Sequence, residues 1–204
     1  LPAISGHAGF QRDFVKAMVQ GRMHHAWLLA GPRGIGKAQV ALRAAALLLA
    51  ENQSQSPPAE IPKSFEIDPA DPGVTLVLNG AHPDLKIVAP LEEDNKSGQI
   101  KVEQIRALLP FMMHTPGRGG WRIAIIDSMD AVNRNGSNAL LKMLEEPPQK
   151  TVLFLITSRP GQLPPTIRSR CRVARMTALD QDSSAAVIAD IWPDADLSQR
   201  ELLT

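Results

Sequence analysis

Cysteine is almost missing from this sequence: Cys171 is the only one in 204 residues. A single thiol excludes an intrachain disulfide framework and a four-cysteine zinc site. Net charge is nearly absent too, at +1 from 22 Lys+Arg against 21 Asp+Glu, so composition supplies no electrostatic drive toward nucleic acid or a membrane surface. No apolar run reaches the ~18 residues of a membrane span, because charge interrupts the longest candidates. The opening LPAISGHAGF has no basic segment followed by an apolar one, so no signal peptide is expected. The expected setting is therefore soluble, reducing and cytoplasmic, with no membrane partner. What is present is a 44% hydrophobic share, which argues against wholesale disorder. The length allows one full domain plus the start of another.

Phe10, Phe14, Ala17 and Met18 recur at helical spacing, so residues 8–20 read as an amphipathic helix. Ala26–Ala30 is too short and apolar for a helix and suits a strand covered on both faces. A glycine turn follows, then the alanine- and leucine-rich stretch 37–50, a helix by propensity. Residues 51–73 are proline-rich without apolar periodicity and read as an irregular excursion, an exposed loop of no chemical consequence. Beyond it, Leu85–Val88, residues 121–126, residues 151–156 and residues 171–176 read as strands. Residues 101–113 and 131–145 read as helices, residues 165–171 as a short turn or helix, and a further helix begins after Leu179. Strands alternating with helices, several without polar alternation, require an α/β fold with a parallel sheet flanked by helices. Ligands in such folds sit at the carboxyl ends of the strands.

Three of those ends carry chemistry. Gly31, Pro32, Arg33, Gly34, Ile35, Gly36, Lys37 and Ala38 fit the phosphate loop GxxxxGK[ST] at every position but the last. Glycines let successive N–H groups converge on one anion, the helix N-terminus adds its positive end, and Lys37 supplies a point charge. The alternative is a glycine-rich turn with Lys37 paired to a carboxylate. Ala38 lacks the hydroxyl that would ligate Mg²⁺. At the second end, four apolar residues lead into Asp127, placed to hold a metal directly or through water, or to cap the helix beginning near residue 130. Ser128 follows where a hydrolysing enzyme needs a base, and Ser is not one at neutral pH. Asp130, two residues further on, is expected to point elsewhere. Losing the metal ligand and the water-orienting group costs on the order of 10²–10³ in rate each, without simple additivity. Hydrolysis by this chain alone is therefore expected to be absent or very weak, and no metal ligand set is assigned. Thr157 ends the third strand.

Arg168, Arg170, Arg172 and Arg175 form the densest basic run, after Pro164 and Pro165. Such a run suits phosphate contact or forms an ordinary solvated edge. Aromatics are only 4% of the chain and none interrupts the run, so base stacking has no support.

Ser169-Arg170-Cys171, with NALLKMLEEPP at 138–148 and HHAWLLAGPRGIGK at 24–37, resembles the clamp-loader AAA+ family of the bacterial DNA polymerase III holoenzyme. The likeness runs from about residue 4 to 180. It implies a P-loop NTPase (AAA+) domain over 1–178 and the beginning of a helical lid over 179–204, with a helical collar beyond this chain. It implies that Arg170 reaches the ATP site of a neighbouring subunit as a trans arginine finger, and that Thr157 occupies the sensor position, though capping the strand end is an equal role for it. Ala38 and Ser128 then match the family's stationary, degenerate member. The motor subunits carry four zinc cysteines after the first helix of the loop; residues 51–73 have none, so no zinc is expected. The partners implied are the gamma/tau and delta subunits and, through the complex, the sliding clamp and primer–template DNA. ATP, ADP or phosphate is expected at the loop, weakly held. The competing expectations are a working P-loop ATPase, with water or Asp130 compensating, and a DNA-binding module built on the arginines.

Overall fold

The computed structural model describes residues 6–51, 65, 67–90, 98–117, 120–180, 183, 184 and 187. Five parallel strands form one sheet: β1 (Ala26–Ala30), β2 (Leu85–Val88), β3 (Arg122–Ile126), β4 (Thr151–Thr157) and β5 (Arg172–Arg175), in the order β2-β3-β4-β1-β5. Every residue of β1, β3 and β4 is buried, as strands covered on both faces must be. Trp27 and Leu29 point into one layer, with α1 (Ala8–Val19), α2 (Lys37–Leu49) and α3 (Pro72–Leu78). Ala26 and Leu28 point into the other, with α4 (Val102–Arg106), α5 (Leu108–Met113), α6 (Arg134–Glu145) and α7 (Pro165–Arg168). Alternate side chains of one strand thus feed two cores.

Three expectations need correction. The helix expected across 101–113 is two helices meeting at Ala107. Pro110 has no N–H for the carbonyl four residues back, so it is accommodated only in the first turn of a new helix. The helix expected from 131 starts at Arg134, capped by Asn133 Oδ1 accepting from Gly136 N (2.9 Å), and a 3-10 turn over Met129–Ala131 precedes it. Much of the 51–73 excursion and of the expected lid lies outside the described residues, but the excursion is not merely an exposed loop. Phe65 is 4% exposed, edge-on to Phe10 and Phe14, and its N–H donates to Gln11 Oε1 at 3.0 Å. The excursion then ends in α3, where Asp71 accepts from Val74 N (3.0 Å) and Pro72 opens the first turn. After Leu179, Asp180 Oδ1 accepts from Ser183 N at 2.8 Å, an N-cap geometry.

Register brings the functional ends to one rim. Ala30 pairs with both Thr157 and Arg175, and Ile126 pairs with Val88. Gly31, Ala89, Asp127 and Ser158 therefore each come one residue past a strand on the same edge of the sheet.

Two imidazoles make the fold acid-sensitive. Burial holds both His25 and His82 below the ordinary 6.5, with the neighbouring His24 adding to the effect at His25 and Asp84 opposing it at His82. His82 Nδ1 also accepts from Asp84 N (3.0 Å) and so is unprotonated there. The unfolded chain takes up protons near pH 6.5 that the folded chain refuses, so this contribution is complete above that pH and falls below it. The melting temperature is expected to decline as pH drops from 6.5 toward 5, and His25→Gln with His82→Gln to flatten that limb. A melting temperature constant over this range in the unmutated chain would contradict the assignment.

Candidate functional site

The rim encloses a cavity of about 580 Å³. Its walls are the loop and first turn of α2 (Arg33, Gly34, Gly36, Lys37, Ala38, Gln39), the exits of β2 and β3 (Ala89, Pro90, Asp127, Ser128, Asp130) and the exit of β4 (Ile156, Ser158). Gly34 and Gly36 have φ of 80° and 83°, the left-handed region that glycine enters without a Cβ penalty. Gly31 is required for another reason: a Cβ there would lie 2.2 Å from the Met176 carbonyl oxygen, because β5 closes against the loop. His7 Nε2 bonds the Ile35 carbonyl at 2.7 Å and ties the chain before α1 to the loop. The first turn of α2 opens on the cavity, where a helix leaves N–H groups without intrahelical partners.

Lys37 is 7% exposed, and its ammonium donates to the carbonyls of Gly31 (2.9 Å) and Pro32. It does not pair with a carboxylate of the described residues, as the alternative expectation had it. Burial lowers its pKa, while Asp127 and Asp130 act against that shift at longer range. Burial raises the Asp127 carboxyl above its ordinary value, with Lys37 opposing. Asp127 does not cap a helix. Ser128 does: its Oγ accepts from Asp130 N at 3.2 Å at the start of the 3-10 turn.

That turn overturns the expectation for Asp130. It brings the side chain back to the cavity, where Oδ1 accepts from Thr157 Oγ1 (2.6 Å) and Oδ2 from Ser158 N (2.8 Å) and Ser158 Oγ (2.6 Å). Burial alone would raise the Asp130 carboxyl, but the hydrogen bonds from Ser158 and Thr157 outweigh it and hold the group below the ordinary carboxylate value. Thr157 is fully buried behind this joint, and its hydroxyl also accepts from Arg159 N at 3.0 Å. At the end of β4 the cavity is lined by Ser158 and not by Thr157. In the sequence Asp130 enters only as the compensating group of the alternative ATPase reading, and Ser158 carries no role; the available signal is an acid three residues after Asp127, which a 3-10 turn returns to the same edge.

Arg170 lies away from this cavity, following α7. Ile167 and Cys171, both buried, anchor the backbone on either side. Cys171 is packed in apolar surroundings that push its thiol up to about 12, so it serves as core rather than as a nucleophile. The Arg170 guanidinium donates to Thr166 O from Nη1 (2.9 Å) and pairs with Glu145 through Nη2 (2.9 Å). Arg172 pairs with Asp13 at 2.8 Å and lies 4.8 Å from the centre of the Trp27 ring. Two of the four arginines are therefore engaged within the chain.

A parallel sheet in this strand order, with a glycine loop between the second-from-edge strand and its helix and an acid just past β3, is the AAA+ class of P-loop NTPase fold. The profile of the family described as DNA polymerase III, delta subunit, matches residues 6–180, and the chain belongs to that family. It is 39% identical over 147 residues to DNA polymerase III subunit delta' of Pseudomonas aeruginosa, covering 72% of this chain and 41% of that protein. It is 37% identical over 165 residues to DNA polymerase III subunit tau of Escherichia coli, covering 78% of this chain and 23% of tau. The chain thus spans less than half the length of these relatives. A DNA polymerase III gamma subunit-related protein of Thermotoga maritima shares the fold with a TM-score of 0.61 at 22% identity, over 90% of this chain and 52% of that one. Among the described residues no helix is long and apolar enough to cross a membrane, and no group of three or more His, Cys, Asp or Glu is placed to hold a metal ion.

Proposed function

We propose that this chain is the delta-prime subunit of the DNA polymerase III clamp loader, a cytoplasmic, non-hydrolysing AAA+ scaffold. It helps load the sliding clamp onto primer–template DNA beside the gamma/tau and delta subunits and lends Arg170 to a neighbour's ATP site. Residues 1–178 are its AAA+ domain and 179–204 the start of its lid. One observation carries the reading: the cavity keeps its phosphate-facing wall and lacks its reactive one. The glycine loop, the α2 N-terminus and Lys37 remain, while Ala38 stands where the motif calls for a hydroxyl and the Ser128 hydroxyl accepts from Asp130 N.

These residues fit a phosphate group and fit magnesium poorly. When bound, ATP or ADP would supply the anion that the loop amides and Lys37 surround. Lys37 would exchange its bonds to Gly31 O and Pro32 O for that anion, which costs some affinity. Asp127 is the remaining acid for a cation, and its burial works against the ionised form that ligation needs. Asp130 is a poor base for water: both its oxygens already accept hydrogen bonds, and its lowered pKa weakens its pull on a proton. The reading as a self-sufficient ATPase therefore gains nothing from Asp130's return to the cavity.

Calorimetric titration with ATP tests this directly. Weak binding is expected, equal with and without Mg²⁺, and Ala38→Thr is expected to make it Mg²⁺-dependent and roughly 10-fold or more tighter, the scale of one restored charge-assisted contact. Tight, Mg²⁺-dependent binding by the unmutated chain would overturn the proposal.

A further inference from the structure

We infer that Glu145 is a positioning residue for Arg170, holding the guanidinium in the orientation in which it is presented to the neighbouring subunit's nucleotide; this rests on the finger reading of Arg170 given above. Arg170 is held at two points of its planar fork, with Nη1 on Thr166 O and Nη2 on Glu145 Oε1, each at 2.9 Å. The first anchor belongs to the segment that carries Arg170. The second comes from the far end of α6, so it fixes the direction of the fork relative to the body of the domain.

Two features set this pair apart from a casual surface contact. Glu145 occupies the last turn of α6, followed by Glu146 at the C-cap. Carboxylates there oppose the helix dipole, which favours cations at that end. A local rule broken at an exposed position points to a use elsewhere. Second, the side chains of Arg170 and Glu145 are 36% and 49% exposed, where an ion pair contributes little to stability. The backbone needs no such help, since Ile167 and Cys171 on either side are buried and Arg170 N donates to Ile167 O (3.1 Å). What the pair provides is placement. A flexible arginine samples many rotamers, and one held at both nitrogens enters the adjoining site already aimed, keeping Thr166 O and Glu145 while its remaining N–H groups face phosphate oxygens.

The test uses the clamp-loader complex reconstituted with the full-length subunit carrying Glu145→Ala, Glu145→Asp, Arg170→Ala, or Glu145→Ala with Arg170→Ala. Steady-state ATP turnover is read with sliding clamp and primed DNA present. Glu145→Ala is expected to lower kcat on the order of 10-fold, within the up to ~100-fold cost of misplacing a reacting group by about 1 Å, with KM for ATP unchanged. Glu145→Asp is expected to restore part of the loss, and Glu145→Ala to add nothing once Arg170 is alanine. If Arg170→Ala lowers turnover while Glu145→Ala leaves it unchanged, or lowers it equally with and without Arg170, the positioning role is refuted and the finger reading stands. If Arg170→Ala itself leaves turnover unchanged, the finger reading falls, and the role of Glu145 with it.

Discussion

Replacing Arg170 by alanine in the assembled clamp loader is expected to lower ATP turnover at the adjoining site by about 10³–10⁵-fold, equivalent to about 4–7 kcal/mol of barrier. The expectation rests on the proposed role of Arg170 as a trans arginine finger, with which its position is compatible. Its side chain is on the surface, outside its own chain's cavity, and fixed by Thr166 O and Glu145. As the bond to the leaving oxygen breaks, negative charge shifts toward that oxygen and the geometry of the transferring phosphoryl group changes, so a guanidinium aimed there stabilises the transition state more than bound ATP. ATP affinity at the neighbour is accordingly expected to change little. Arg170→Lys is expected to recover only a minor part, because an ammonium lacks the planar fork. Single-turnover hydrolysis by complexes built with each variant reads the effect. A rate for Arg170→Ala within a few-fold of the unmutated complex would contradict it.

The largest effect on stability is expected at the opposite end of the sheet. Arg122 opens β3, is 7% exposed, and pairs through Nη2 with Asp84 at 2.9 Å. Its guanidinium also donates to Thr115 O (2.7 Å) and lies 4.8 Å from the centre of the Phe111 ring. Asp84 is 2% exposed and also accepts from Gly117 N at 3.1 Å. Arg122→Ala leaves that carboxylate buried without its cation, which costs about 3–5 kcal/mol. For a domain of this size the melting temperature is then expected to fall by about 10 °C. Removing both charges together, with Arg122→Met and Asp84→Asn, is expected to recover much of the loss, since the cost lies in the orphaned charge and not in the missing pair. Denaturant midpoints of the three proteins measure this. A midpoint for Arg122→Ala corresponding to a loss under 1 kcal/mol would show that the pair is solvated.

The strands were legible because their signal is local. AWLLA, RIAII and TVLFLIT are apolar runs too short for helices, and a parallel sheet buries both faces of each. The phosphate loop was legible for the same reason: its glycines, its lysine and its flanking strand and helix are contiguous in sequence. Long-range encounters were not. Phe65 sits in a proline-rich stretch with no periodicity, and only the fold shows that its ring packs against the Phe10–Phe14 pair. Pro110 was read inside a helix because Val102, Ile105 and Leu109 keep the period across the break, while proline's missing N–H acts only on the backbone. Counting residues along the chain sends Asp130 away from the site. The 3-10 turn after Ser128 reverses its direction, and its partners Thr157 and Ser158 stand 27 and 28 residues away. Glu145 and Arg170 each stand within a recognisable motif, but nothing in either motif says that the two touch.

Steady-state ATP turnover by the purified chain without other subunits tests the central claim most directly. With Ala38 where a cation-binding hydroxyl belongs and Ser128 where a base belongs, turnover is expected at or near the uncatalysed background, far below the ~10 s⁻¹ typical of enzymes. Turnover by the unmutated chain near that typical rate, matching a variant carrying Ala38→Thr and Ser128→Glu, would contradict the account.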